Sequence, residues 1–153
     1  MYPKAMEKKK IHIINGPNLN RLGRRSPAIY GTTGMEECLH EISVTFTEVE
    51  TKYFQSNCEG EIIDCLQRII EEGDSAGVII NPGAYAHYSY AIADALADLR
   101  ENGVKVVEVH ISNIASREEF RRTSVTAAQC TGYISGLGMK GYSLALRYLL
   151  GKG

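Results

Sequence analysis

Short runs of aliphatic, mostly β-branched residues recur along this chain, and each gives way to a polar segment and then to a helical repeat. Residues 11–15 read as one such run, 77–81 as another and 104–110 as a third. Unbroken apolar runs of this length suit strands covered on both faces, the condition of a parallel sheet. Leu39, Ile42, Phe46 and Val49 recur every three or four residues, which predicts a helix from near Gly34. Threonine, valine and aromatic residues crowd 44–54, so that helix is expected to stop early and a second strand to run to about Gln55. Ile62, Leu66 and Ile69 mark a helix closed by Gly73. Ala91, Ala95 and Leu99, flanked by Ile92 and Leu96, mark another that ends at Asn102-Gly103. Ser116-Arg117-Glu118-Glu119 has the form of a capping box and predicts a short helix. A fifth strand is expected over 131–135 and a last helix over 140–150. Regular alternation of this kind specifies an α/β fold: a doubly wound sheet of five parallel strands, helices on both faces, right-handed crossovers.

The segment after the first strand carries more polar chemistry than a connection needs. It holds Asn18, Asn20, Arg21, Arg24, Arg25 and Tyr30 within 15–31. Loops at the carboxyl ends of strands are where open parallel sheets bind ligands, and long loops are often functional. A guanidinium near a phenol favours phenolate, so Tyr30 is a candidate base. The third strand likewise ends in Asn81 before Pro82-Gly83, with His87 beyond, and the fourth ends in Glu108, His110, Ile111 and Ser112. In a parallel sheet these ends share one edge and can converge on one cleft. Glu108 and His110 stand two apart on a strand and point the same way, so the carboxylate can orient the imidazole as a general acid. Each of these residues also has a plain structural reading. The Glu108–His110 pair fits a buried hydrogen-bonded couple, Tyr30 an amphipathic loop residue, Asn81 a turn former and His87 a cap. Their common placement is what favours chemistry.

The bulk numbers narrow the class. A chain of 153 residues with 44% hydrophobic and 23% charged residues fits one globular domain, here 11–153 behind a polar, flexible tail over 1–10. A net charge of −1 gives no reason to expect nucleic acid or a membrane as partner. Cys38, Cys58, Cys65 and Cys130 show no paired spacing, and with no secretory leader they are expected as buried reduced thiols of a cytoplasmic protein. His12, His40, His87 and His110 have no metal-ligand spacing, so no metal is expected. Gly136-Leu137-Gly138-Met139-Lys140-Gly141 matches a dinucleotide fingerprint in letters alone. A chain ending at Gly153 leaves no room for the acidic residue about twenty positions on, and close strand-to-helix packing explains the glycines better.

Four segments in order, NGPNLNRLGRR with PAIYG, INPGAYAHYS, VEVHISN and REEFRR, resemble type II 3-dehydroquinate dehydratase, the shikimate-pathway dehydroquinase, over about 11–150. The resemblance implies a flavodoxin-like fold and dehydration of 3-dehydroquinate to 3-dehydroshikimate without cofactor or metal. Position by position, it implies that Tyr30 is the base and that Arg25 beside it holds the phenolate. It implies that His110, oriented by Glu108, is the acid, and that Asn18 holds a water near the developing enolate. Asn81, His87, Ile111, Ser112 and Arg121 match substrate-binding positions, and Asp94 matches a residue given to the site by a neighbouring subunit. The implied assembly is a dodecamer of four trimers, and the loop over 22–33 should act as a lid. The chain departs from many relatives at Ala115-Ser116 and in a longer turn over 100–105. Two other readings remain open at this level: a non-catalytic flavodoxin-like receiver or ligand-binding module, and a hydro-lyase for a related cyclic polyol acid. Strand ends carrying asparagine rather than an acidic pair speak against the receiver.

Overall fold

The computed structural model describes residues 2–153; Met1, within the expected tail, lies outside the described residues. Five parallel strands, β1 (Lys9–Asn15), β2 (Val49–Gln55), β3 (Ser75–Asn81), β4 (Val106–His110) and β5 (Gly132–Ser135), stand in the order β2-β1-β3-β4-β5. The helices are α1 (Pro27–Tyr30), α2 (Met35–Thr45), α3 (Glu59–Glu72), α4 (Tyr90–Glu101) and α5 (Lys140–Leu149). The expected α/β architecture is therefore present. Strand β1 begins two residues before the expected domain boundary, because Lys9 and Lys10 pair with Val49 and Glu50 across the sheet. Lys10 also reaches Asp74, which anchors a residue assigned to the tail.

Period-two alternation along the strands divides the core. Ile11, Ile13, Ile79, Val107 and Val109 face α2 and α5, meeting Met35, Cys38, Ile42, Tyr142 and Leu146. Ile14, Val78, Ile80 and Val106 face α3 and α4, meeting Ile62, Leu66, Ile69, Ile92 and Leu96. Burying each of these large aliphatic side chains contributes roughly 1.5–3 kcal/mol before chain entropy is counted. Helix α2 stops at Thr45 and β2 follows, as the change in composition implies. Gly73 ends α3 with φ 68°, a left-handed conformation that a side chain would disfavour.

Two expectations need correction. Ser116 does not cap a helix: it closes a 3-10 turn, Ile114–Ser116, and its hydroxyl donates to the Asn113 carbonyl at 2.9 Å. Arg117 is then extended, and the following 3-10 turn, Glu119–Arg122, starts without a side-chain cap. Asn113 is the capping residue instead, its Oδ1 accepting from the Ala115 N–H at 3.2 Å. The thiols are also not uniformly buried. Cys38 and Cys65 are inside and Cys130 is half-buried, but Cys58 is exposed at the mouth of α3. Burial pushes the Cys38 thiol up to about 11 and raises those of Cys65 and Cys130 as well.

The loops after β1 and β3 interlock. The Gly16 N–H donates to the Asn81 carbonyl at 2.7 Å, and a Cβ on Gly16 would lie 2.5 Å from the Pro82 carbonyl oxygen. Only glycine permits that approach, so the two polar loops are fixed against each other where the strand order reverses.

Candidate active site

A cleft opens at the carboxyl edge of the sheet, over β1, β3 and β4, with about 520 Å³ of unfilled space counted out to its mouth. The loop after β1 supplies Asn18, Arg25 and Tyr30, and the loop after β3 supplies Asn81 and His87. The end of β4 and the turns beyond it supply His110, Ile111, Ser112, Arg117 and Arg121. Three strand ends thus meet at one place, as the polar residues at each of them imply.

On one wall, His110 Nε2 lies 2.8 Å from Glu108 Oε2, and both side chains are buried. The Glu108 carboxylate is fully enclosed and held on every side by donors. Ser124 Oγ donates to its Oε2 at 2.7 Å, and Thr126 Oγ1 donates to its Oε1. A buried carboxylate needs such donors and a cation to offset desolvation. The bond to Glu108 uses Nε2, which leaves Nδ1 of His110 to meet a ligand. The His87 ring stacks on His110 with centroids 6.2 Å apart, and its Nδ1 donates to the Thr123 carbonyl at 2.9 Å. Burial pushes the His87 imidazole below its ordinary value.

On the opposite wall, Tyr30 closes the four-residue helix α1, which has Ser26 in a left-handed conformation (φ 42°) before it and Gly31 (φ 80°) after it. Arg117 Nη1 donates to Tyr30 Oη at 3.0 Å and to Ser112 Oγ at 3.2 Å. The Arg25 guanidinium stands 5.4 Å from the centre of the Tyr30 ring, and that of Arg117 stands at the same distance. Two cations therefore flank the phenol, and the one bonded to its oxygen is Arg117 rather than Arg25. Arg117 belongs to the REEFRR run, and its extended backbone between two 3-10 turns is what brings it to Tyr30. Linear spacing gives no sign of it, since 87 residues separate the partners.

The other expected residues are placed as follows. Asn18 adopts φ 68° and donates its N–H to Asn57 Oδ1 at 3.0 Å, which pins the root of the loop. Asn81 is buried, with Oδ1 accepting from the Gly83 N–H at 3.1 Å and Nδ2 donating to Tyr142 Oη at 3.1 Å. Arg121 is paired with Glu118 and lies over Phe120. Ile111 and Ser112 border the cleft beside His110. Asp94 is the exception: it is exposed on α4 and does not line the cleft of its own chain. Ser124, Thr126 and Tyr142 join the site from beneath, unmarked by any motif. Among the described residues, no three His, Cys, Asp or Glu side chains stand together as metal ligands, and no helix is long and apolar enough to cross a membrane.

Comparison with known proteins adds an independent line. The family described as Dehydroquinase class II matches residues 9–150. The 3-dehydroquinate dehydratase of Thermotoga petrophila is 54% identical over 142 residues, 92% of this chain and 94% of that protein. The enzyme of the same name from Bacillus pumilus is 50% identical over 144 residues, again 92% of this chain and 94% of the relative. Among solved structures, the type II dehydroquinase of Butyrivibrio crossotus superposes with a TM-score of 0.88 at 48% identity, covering 94% of this chain and 98% of the other. That of Propionibacterium acnes gives a TM-score of 0.87 at 42% identity, covering 97% and 100%. Sheet order, cleft and sequence agree: this chain belongs to the class II dehydroquinase family.

Proposed function

We propose that the protein is a type II 3-dehydroquinate dehydratase, removing water from 3-dehydroquinate to give 3-dehydroshikimate in the shikimate pathway. Family membership supports the reaction, and one observation supports the mechanism: a phenol bonded to a guanidinium and an imidazole bonded to a carboxylate border a single cleft.

Loss of water β to a ketone needs a base for the α proton, a donor for the enolate oxygen and an acid for the departing hydroxyl. Tyr30, as phenolate, takes the proton, and the C–H electron pair moves onto the ketone oxygen. A water held at Asn18 donates to that oxygen. The enolate then collapses, the C–O bond of the β hydroxyl breaks, and Nδ1 of His110 delivers the proton that lets it leave as water. The cycle ends with a phenol and a neutral imidazole, and a net proton transfer from one to the other restores the start. Glu108 orients the ring and offsets its charge, while Arg117 and Arg25 hold charge on the Tyr30 oxygen. Asn81, His87, Ile111, Ser112 and Arg121 bind the carboxylate and ring hydroxyls. No metal or cofactor enters this scheme.

The 22–33 segment carries Arg25 and Tyr30 over the cleft and serves as a lid, opening to admit substrate. Asp94 reaches the cleft of a neighbouring copy in a trimer, four of which make a dodecamer working in the cytoplasm. Its exposure on α4, away from its own cleft, supports that role. Adding 3-dehydroquinate to the purified protein and following ultraviolet absorbance of the conjugated enone tests the reading. Activity is expected to survive a chelator and borohydride, and loss with either would replace this mechanism with a metal or Schiff-base one. Sedimentation should give a dodecamer, and a monomer with full activity would remove Asp94 from the site.

A further inference from the structure

Tyr142 has no part in the scheme above, yet its hydroxyl is the centre of a buried chain of side chains beneath the cleft. Tyr142 Oη donates to Asn15 Oδ1 at 2.7 Å and accepts from Asn81 Nδ2 at 3.1 Å. Asn15 Nδ2 donates in turn to Tyr53 Oη at 3.3 Å. Asn15 and Asn81 are register partners at the ends of β1 and β3, so one phenol from the helix layer ties both strand ends together.

The direction of this chain is not free. A backbone N–H can only donate, and that of Gly83 lies 3.1 Å from Asn81 Oδ1. The amide oxygen of Asn81 must therefore face Gly83, and its nitrogen must face Tyr142. A phenol carries one hydrogen; having accepted from Asn81, Tyr142 has to donate to Asn15, whose oxygen is fixed in the same way. Burial pushes the Tyr142 phenol well above its usual range, so that hydrogen stays in place at any working pH. One Nδ2 hydrogen of Asn81 is left for the cleft that Asn81 borders.

We propose that Tyr142 is a positioning residue for substrate binding: with Asn15 as its acceptor, it locks the Asn81 amide so that the cleft meets an N–H donor and selects an acceptor oxygen. The proposal rests on the reading of Asn81 as a substrate ligand. An amide turned the other way would present oxygen to that same acceptor and repel it. Asn15 does not border the cleft, and its side-chain route to Asn81 runs through Tyr142.

Steady-state kinetics with 3-dehydroquinate on the purified full-length protein test it. Tyr142→Phe and Asn15→Ala are each expected to raise KM about tenfold with kcat held within about twofold, the pattern of a lost uniform binding contact. Asn81→Ala should raise KM to a similar degree, and adding Tyr142→Phe to it should change KM no further. A purely structural role would lower the melting temperature of the variants and leave KM unmoved. Raised KM in Asn81→Ala beside unchanged KM in Tyr142→Phe would overturn the proposal alone, as would effects that multiply in the double variant. Unchanged KM in Asn81→Ala would overturn the Asn81 assignment and the proposal with it. Should Tyr142→Phe not fold, Asn15→Ala carries the same test.

Discussion

The two walls of the cleft are built to different standards of rigidity. The His110 wall grows from β4, where Glu108 is 0% and His110 5% exposed, and each carboxylate oxygen is held by a hydroxyl from the segment between β4 and β5. The Tyr30 wall is a single turn of helix with no buried residue, entered and left through positive φ, and joined to the body of the protein through Arg117. Preorganised donors are most effective where charge develops without rearrangement, which suits the acid role proposed for His110. On the proposed mechanism the Tyr30 wall opens to admit substrate, and side-chain contacts that can break and re-form suit that motion. On that mechanism chemistry and stability are coupled on one wall and separable on the other.

Tyr30→Phe is the sharpest way to break that contrast. It should cut kcat by about 10³-fold while KM and the melting temperature barely change; comparable turnover would remove Tyr30 from the mechanism. Glu108→Gln should do damage of both kinds. Losing the charge beside His110 is expected to lower kcat by about 10²-fold and to destabilise the fold by about 3 kcal/mol, read by steady-state kinetics and denaturant titration. If stability is untouched, the His110 wall is not the more rigid of the two. Arg117→Lys keeps the charge and loses the planar fork that spans Tyr30 and Ser112, so kcat/KM should fall about tenfold with an unchanged unfolding midpoint.

The smallest effect is on stability with pH. Burial lowers the imidazoles of His87 and His12 below their ordinary 6.5, so below that pH the unfolded chain binds protons that the folded one resists. Stability from these groups is present in full above 6.5 and declines as pH falls from there through the folded values. Unfolding free energies measured between pH 7.5 and 5 should slope downward, and His87→Gln or His12→Gln should flatten the slope. An identical slope in both variants would show that these rings contribute nothing.

Much of this was legible in the linear chain. Strand periodicity, the asparagines closing β1 and β3, and the two-residue spacing of Glu108 and His110 were enough to expect one cleft at one edge. Those signals are local, and local signals survive in a one-dimensional reading. Ser124, Thr126 and Tyr142 carried none, and the REEFRR run marked Arg117 without showing its partner, because these roles depend on turns that bring together residues 16 to 87 positions apart, or 127 for Tyr142 and Asn15. The capping box misled for a related reason: the letters fit, but the Asn113 carbonyl had already taken the Ser116 hydroxyl.

Cys58 gives the fold a practical handle. It is the exposed thiol among four, and burial keeps Cys38, Cys65 and Cys130 protonated and shielded. Its neighbour Asn57 clamps the Asn18 N–H and accepts from Tyr85 Oη at 2.8 Å. A maleimide dye added to the unmodified polypeptide would attach selectively beside that clamp, and its emission would report on the root of the loop after β1 in real time as ligand is added and removed.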